Sequence, residues 1–126
     1  MVASSDEIRN SHLEKIKTLN TNYVSPIGKN SSITNLTTAT SLTFTGEWFD
    51  CSGYSKLSYL LNTNVSGDIY FDLSIDSTVV DLTTTVAITG GVPVTDEIQI
   101  TSKYIRVRYT ADSDTTTFRL QSIFKR

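Results

Sequence analysis

The chain has 126 residues, enough for one hydrophobic core but not two, and its formal charge of -2 is spread over interspersed acids and bases. No single-sign block is present to track a nucleic-acid backbone or an anionic membrane, so neither is expected as a partner. One cysteine excludes an internal disulfide and with it the stapled secreted scaffolds, and synthesis in a reducing cytoplasm is expected.

With residue 1 as the native start, the charged segment MVASSDEIRNSHLEKIK has no apolar run for a secretory signal or a spanning helix. The sequons at Asn30, Asn35 and Asn64 therefore carry no weight. Ile8, Leu13, Ile16 and Leu19, with His12 and Tyr23 nearby, fall on one side of a helical wheel and predict a short amphipathic helix. Ser4 and Glu7 have capping-box spacing, which starts the helix near Ser5, while Asn20, Asn22 and the Ser25-Pro26 step end it between Leu19 and Tyr23. Residues 25–40 are polar and poor in large apolar groups, the composition of an extended arm, with Ile33 and Leu36 able to form one edge strand. The domain reading is an N-terminal helix and arm over 1–40 and a β-domain over 41–126.

Thr and Ser make up more than a quarter of the chain, and Val, Ile, Tyr and Phe supply most apolar positions, a mixture that suits pleated, half-buried surfaces. Strands are predicted near 41–44, 48–51, 56–62, 69–75, 82–88, 94–100, 104–109 and 117–124. Leu57, Tyr59 and Leu61 share one face of the third, and Ile69, Phe71, Leu73 and Ile75 one face of the fourth. In the seventh, Ile105, Val107 and Tyr109 are read as inward and Lys103, Arg106 and Arg108 as outward, with Tyr104 also on the outward phase; the last alternates Phe118, Leu120, Ser122 and Phe124 against Arg119, Gln121 and Ile123. Gly53, Gly67, Gly90-Gly91 and the stretch 111–114 punctuate them. The fold class is all-β, an antiparallel two-sheet sandwich, with a jelly roll as the leading topology and an immunoglobulin-like order as the second.

Catalysis requires a nucleophile with its base, paired carboxylates or a multi-ligand metal site, and none of these constellations is written here, so no enzyme, cofactor or metal is expected. His12 is the sole histidine and Cys51 reads as a buried small residue at a strand end. Asp112-Ser113-Asp114 is a fragment of a calcium loop without its glycine and distal glutamate, and reads as a solvated hairpin tip. Trp48, Tyr54 and Tyr70 offer an aromatic platform for a glycan; the same residue types serve protein interfaces. Arg106 and Arg108 are two adjacent forks on one outer face, beside Tyr104.

The pattern Gly46-x-Trp48-x-Asp50, Ser52-Gly53-Tyr54, Gly67 with a strand ending Ser74-x-Asp76, then Tyr104-x-Arg106-x-Arg108-Tyr109 and Phe118-x-Leu120 resembles small jelly-roll domains of tailed-phage virion proteins. It departs from them at Asp76-Ser77-Thr78, where Ser-Asp-Gly is expected. The resemblance implies a capsid decoration or head-fibre subunit, located in the virion, with another virion protein as partner and homotrimers as the favoured assembly. Attachment through Ile8, Leu13, Ile16 and Leu19, with a second interface at Tyr104, Arg106 and Arg108, is the leading expectation; a carbohydrate-binding module is the alternative.

Overall fold

The computed structural model describes residues 27–126, so the expected amphipathic helix, with Ile8, Leu13, Ile16 and Leu19, lies outside the described residues. Nine strands follow in order: β1 (Ile27–Ser32), β2 (Thr43–Thr45), β3 (Phe49–Asp50), β4 (Lys56–Thr63), β5 (Gly67–Ser74), β6 (Leu82–Ile88), β7 (Val94–Gln99), β8 (Tyr104–Ala111) and β9 (Phe118–Lys125). The only helical piece among the described residues is one 3-10 turn at Thr38–Thr40. Bulky and β-branched residues at alternate positions of β4, β5, β8 and β9 make each strand apolar on one side, and turn residues between them end each run.

One sheet has the order β1-β9-β4-β7 and the other β2-β8-β5-β6, with β3 also pairing β8; all pairs are antiparallel. The pairs nest: β5 with β6 innermost, then β4 with β7, β2 with β8, and β1 with β9 outermost. A long two-stranded ribbon folded over itself gives this order, with β4–β9 and β5–β8 pairing closing each sheet. That is a jelly roll, the leading one of the two topologies expected for the sandwich.

The core lies between the sheets. Leu57, Tyr59 and Leu61 of β4 and Phe118, Leu120 and Phe124 of β9 meet Ile69, Phe71 and Leu73 of β5 and Ile105, Val107 and Tyr109 of β8, all buried. Tilted ring pairs bridge the layers, with Tyr59 on Phe71 at 5.4 Å and Tyr109 on Phe118 at 5.2 Å between centroids. Gly67 is required where the chain passes from one sheet to the other, because a Cβ there would run into the carbonyl oxygen of Thr110 and the Tyr109 hydroxyl. That hydroxyl donates to the Val65 carbonyl at 3.0 Å, and burial pushes its pKa up to about 12.

Three expectations are corrected. Residues 27–40 were expected as arm; instead β1 pairs with β9, and Leu36 is buried, its N–H donating to Thr115 Oγ1 at 2.8 Å and its carbonyl accepting from Thr115 N at 2.9 Å. The IGKNSS sequence of β1 holds one large apolar residue, so its composition mimics a linker although its backbone pairs with β9. The edge strand expected around Ile33 and Leu36 lies earlier, and Ile33 is exposed. Ile75 was placed in phase with Ile69, Phe71 and Leu73, yet β5 stops at Ser74 and Ile75 is 76% exposed. Turn chemistry overrides the alternation: Asp81 Oδ2 accepts from Ile75 N, Asp76 Oδ1 accepts from Thr78 N and Val79 N, and Ser77 takes a φ of 62°.

Candidate functional site: a ladder of arginine and aromatic side chains

The outward positions of β8 and β5 stand side by side because register places Tyr70 opposite Arg108 and Asp72 opposite Arg106. On the far side of β5, Thr83 of β6 lies opposite Asp72. Asp72 is therefore held between two arginines and a threonine on the outer face of the second sheet, and its side chain is fully buried beneath them. Its Oδ2 accepts from Arg106 Nε at 3.0 Å, Arg106 Nη2 at 2.9 Å and Arg108 Nε at 3.1 Å. Its Oδ1 accepts from Arg108 Nη2 at 3.1 Å and Thr83 Oγ1 at 2.9 Å.

Each guanidinium is also stacked. Arg106 lies over the Trp48 ring at 4.5 Å and Arg108 over the Tyr70 ring at 4.2 Å, so the order across the face is Trp48, Arg106, Asp72, Arg108, Tyr70. Burial raises the Asp72 pKa, but the hydrogen bonds from Arg108, Arg106 and Thr83 outweigh it and hold the carboxyl below its ordinary value. The hydrogen bond to Asp72 in turn raises the Arg108 pKa. Both arginines keep side-chain exposures of 22% and 30%, and each spends Nε and one Nη on the carboxylate, so that among the described residues the other Nη group makes no hydrogen bond to it.

Tyr104, Arg106 and Arg108 share this outer phase of β8, and Trp48 and Tyr70 join the two arginines. Lys103 Nζ lies 5.4 Å from the centre of the Tyr104 ring. Tyr54 stands elsewhere, with its ring 5.5 Å from Phe49 and 6.2 Å from Phe124 at one end of the core. The platform of three aromatics expected for a glycan is thus divided: two rings stack under guanidiniums and the third packs on phenylalanines. Asp72 was missed by sequence reading, since an acid in an outward phase is ordinary until the pairing of β5 with β8 sets two arginines around it.

Other candidates resolve structurally. Cys51 is buried, its thiol donates to the Phe49 carbonyl at 3.4 Å, and burial pushes its pKa up to about 12, far from a reactive thiolate. Asp114 Oδ1 accepts from Thr38 N at 2.8 Å and Thr38 Oγ1 at 3.0 Å, and so ties down the 3-10 turn. Among the described residues no three His, Cys, Asp or Glu side chains gather as a metal site. His12 lies outside the described residues. A groove of about 330 Å³ on the outer face of the first sheet runs between Ile33, Leu60, Pro93 and Arg119.

Two antiparallel sheets in jelly-roll order, carrying a locked arginine–aromatic ladder on one outer face, define a β-sandwich module. The chain belongs to the YqxG N-terminal domain family, described as that of an uncharacterised protein, whose model matches residues 18–125. The sandwich is similar to the crystal structure of the PBSX exported protein XepA, with a TM-score of 0.64 and 18% identity over 80% of this chain, a likeness of fold alone. This chain spans 37% of that protein's length. No curated protein matches it.

Proposed function

We propose that this chain is a phage-associated structural protein without catalytic activity, a virion subunit of the capsid-decoration or head-fibre kind. The observation that carries this reading is the ladder of Trp48, Arg106, Arg108 and Tyr70 around buried Asp72. Tryptophan, tyrosine and arginine dominate the energetics of protein interfaces, and here their rotamers are fixed before any partner arrives, which lowers the entropy lost on binding. The similarity of the Gly46 to Leu120 pattern to virion jelly rolls supports the same conclusion, and the fold shared with an exported protein agrees with a place outside the producing cell.

In this reading the apolar stripe of Ile8, Leu13, Ile16 and Leu19 anchors the chain to a virion protein, the outer face with Tyr104, Arg106 and Arg108 makes the second contact, and copies associate through the sandwich. Co-purification with particles tests it, using the double variants Ile16→Asp/Leu19→Asp and Trp48→Ala/Tyr70→Ala, each first checked for a folded β-rich spectrum. Each pair should reduce particle-bound protein at least about tenfold, equivalent to some 1.4 kcal/mol. Wild-type levels in both variants overturn the reading, and binding of the wild-type chain on a glycan array would replace it with a carbohydrate-binding module.

A further inference from the structure

The sandwich has exposed sheet edges, and they are not protected alike. β7 carries Asp96 and Glu97, and Glu97 Oε1 and Oε2 reach Lys56 Nζ at 3.8 Å and Lys125 Nζ at 3.5 Å. β1 has Lys29 in its sequence and a register shift between Lys29 and Ser32; β2 and β3 are three and two residues long. Charge, irregularity and shortness are the devices by which edges avoid pairing with other chains.

β6 has none of them. Its sequence LTTTVAI runs seven residues without a charge, a proline or a bulge, and among the described residues it pairs only with β5. Leu82, Thr83, Thr84 and Thr85 are all exposed, so the strand overhangs the core on both sides. Beside it the β5–β6 loop is fixed by the hydrogen bonds of Asp76 and Asp81, yet presents Val79 and Val80 to solvent; with Leu82, 59% exposed, they form an apolar patch continuous with the edge.

We infer that β6 is a strand-pairing edge whose partner is β6 of a second copy of this chain, joined antiparallel about a two-fold axis. An uncharged, threonine-rich strand complements itself, whereas the other edges would bring charge or irregularity to the join. Full overlap centres the pairing on Thr85, sets Thr83 opposite Ala87 and Thr84 opposite Val86, and covers Leu82. The two four-strand paths then continue as one sheet across the axis, with the Thr83–Asp72 hydrogen bond close behind each side of the join. The inference deepens the self-association in the proposed function and is independent of the ladder contact.

Mass measurement of the full chain by light scattering over a dilution series, with hydrogen exchange on β6, tests it. The wild-type chain should show twice its 14.0 kDa mass, with β6 amides protected. Thr84→Lys should raise the dimer dissociation constant about tenfold or more and expose those amides, because it sets a charge into the edge. Thr84 is exposed and outside the Asp72 network, so its variant should keep the wild-type spectrum and melt, whereas Thr83 would disturb the ladder. A monomer at all concentrations, a trimeric mass, a dimer unaffected by Thr84→Lys, or a monomer with protected β6 amides overturns the pairing. Wild-type particle binding by both double variants beside an intact dimer would overturn the proposed function and leave the inference standing, whereas a monomeric chain whose double variants lose particle binding would do the reverse.

Discussion

Asp72 shows how much one side chain organises. Among the described residues it is the only acid with a fully buried side chain, and its five hydrogen bonds hold Thr83 and two arginines from β8. Asp72→Ala should destabilise the fold by about 2–3 kcal/mol in a denaturant melt at pH 7, less than a fully buried pair because both guanidiniums can rehydrate. Since the folded pKa is depressed, the stabilisation is complete above the unfolded carboxyl value of about 3.9 and is lost as pH falls through the folded value. The stability difference between Asp72→Ala and wild type should therefore hold from neutral pH to about 4 and shrink below it, and a difference independent of pH down to acid unfolding would contradict the charge-based account. Ser122 is the opposite case. It faces the core from β9, and its Oγ is buried with no hydrogen-bond partner among the described residues. Ser122→Ala should be neutral or stabilise by up to about 1 kcal/mol in the same melt.

At the level of elements, the outermost hydrogen-bonded pair matters most for where the domain begins. Because β1 covers β9 and Leu36 is buried against the 115 loop, deleting residues 1–38 should abolish cooperative thermal unfolding rather than yield an independent β-domain. A sharp, wild-type-like melt of that truncated chain would show β1 to be dispensable. Strand positions were legible in the sequence where alternation or a run of β-branched residues stood between turn residues: β6 was predicted with its observed bounds, and β4, β5, β7, β8 and β9 to within two residues. β1 was hidden because its sequence IGKNSS holds one large apolar residue and no run of β-branched or aromatic residues, and the β5 terminus was misplaced because Ile75 continues a pattern that Asp76 and Asp81 end by capturing backbone amides. The outward phase of Tyr104, Arg106 and Arg108 was readable from their own strand. Their shared carboxylate was not, since Asp72 is 34 and 36 residues away and only strand pairing relates them.

For the whole molecule, the nested order of pairs has a consequence in time. β9 is the last strand in chain order, yet it stands in the interior of its sheet, between β1 and β4. Without β9, β1 has no partner strand and β4 keeps only β7, so the first sheet cannot close. The partners in β1 and β9 are far apart in sequence, with Ile27 opposite Phe124, so closing it requires a long loop to find its end. Assembly of this domain is thus a late, all-at-once event on the slow side of small-protein folding, of the order of milliseconds to seconds. A chain in which β9 has not yet paired leaves Leu57 and Leu61 without part of their cover, the kind of species in which unpaired edges invite association with other chains.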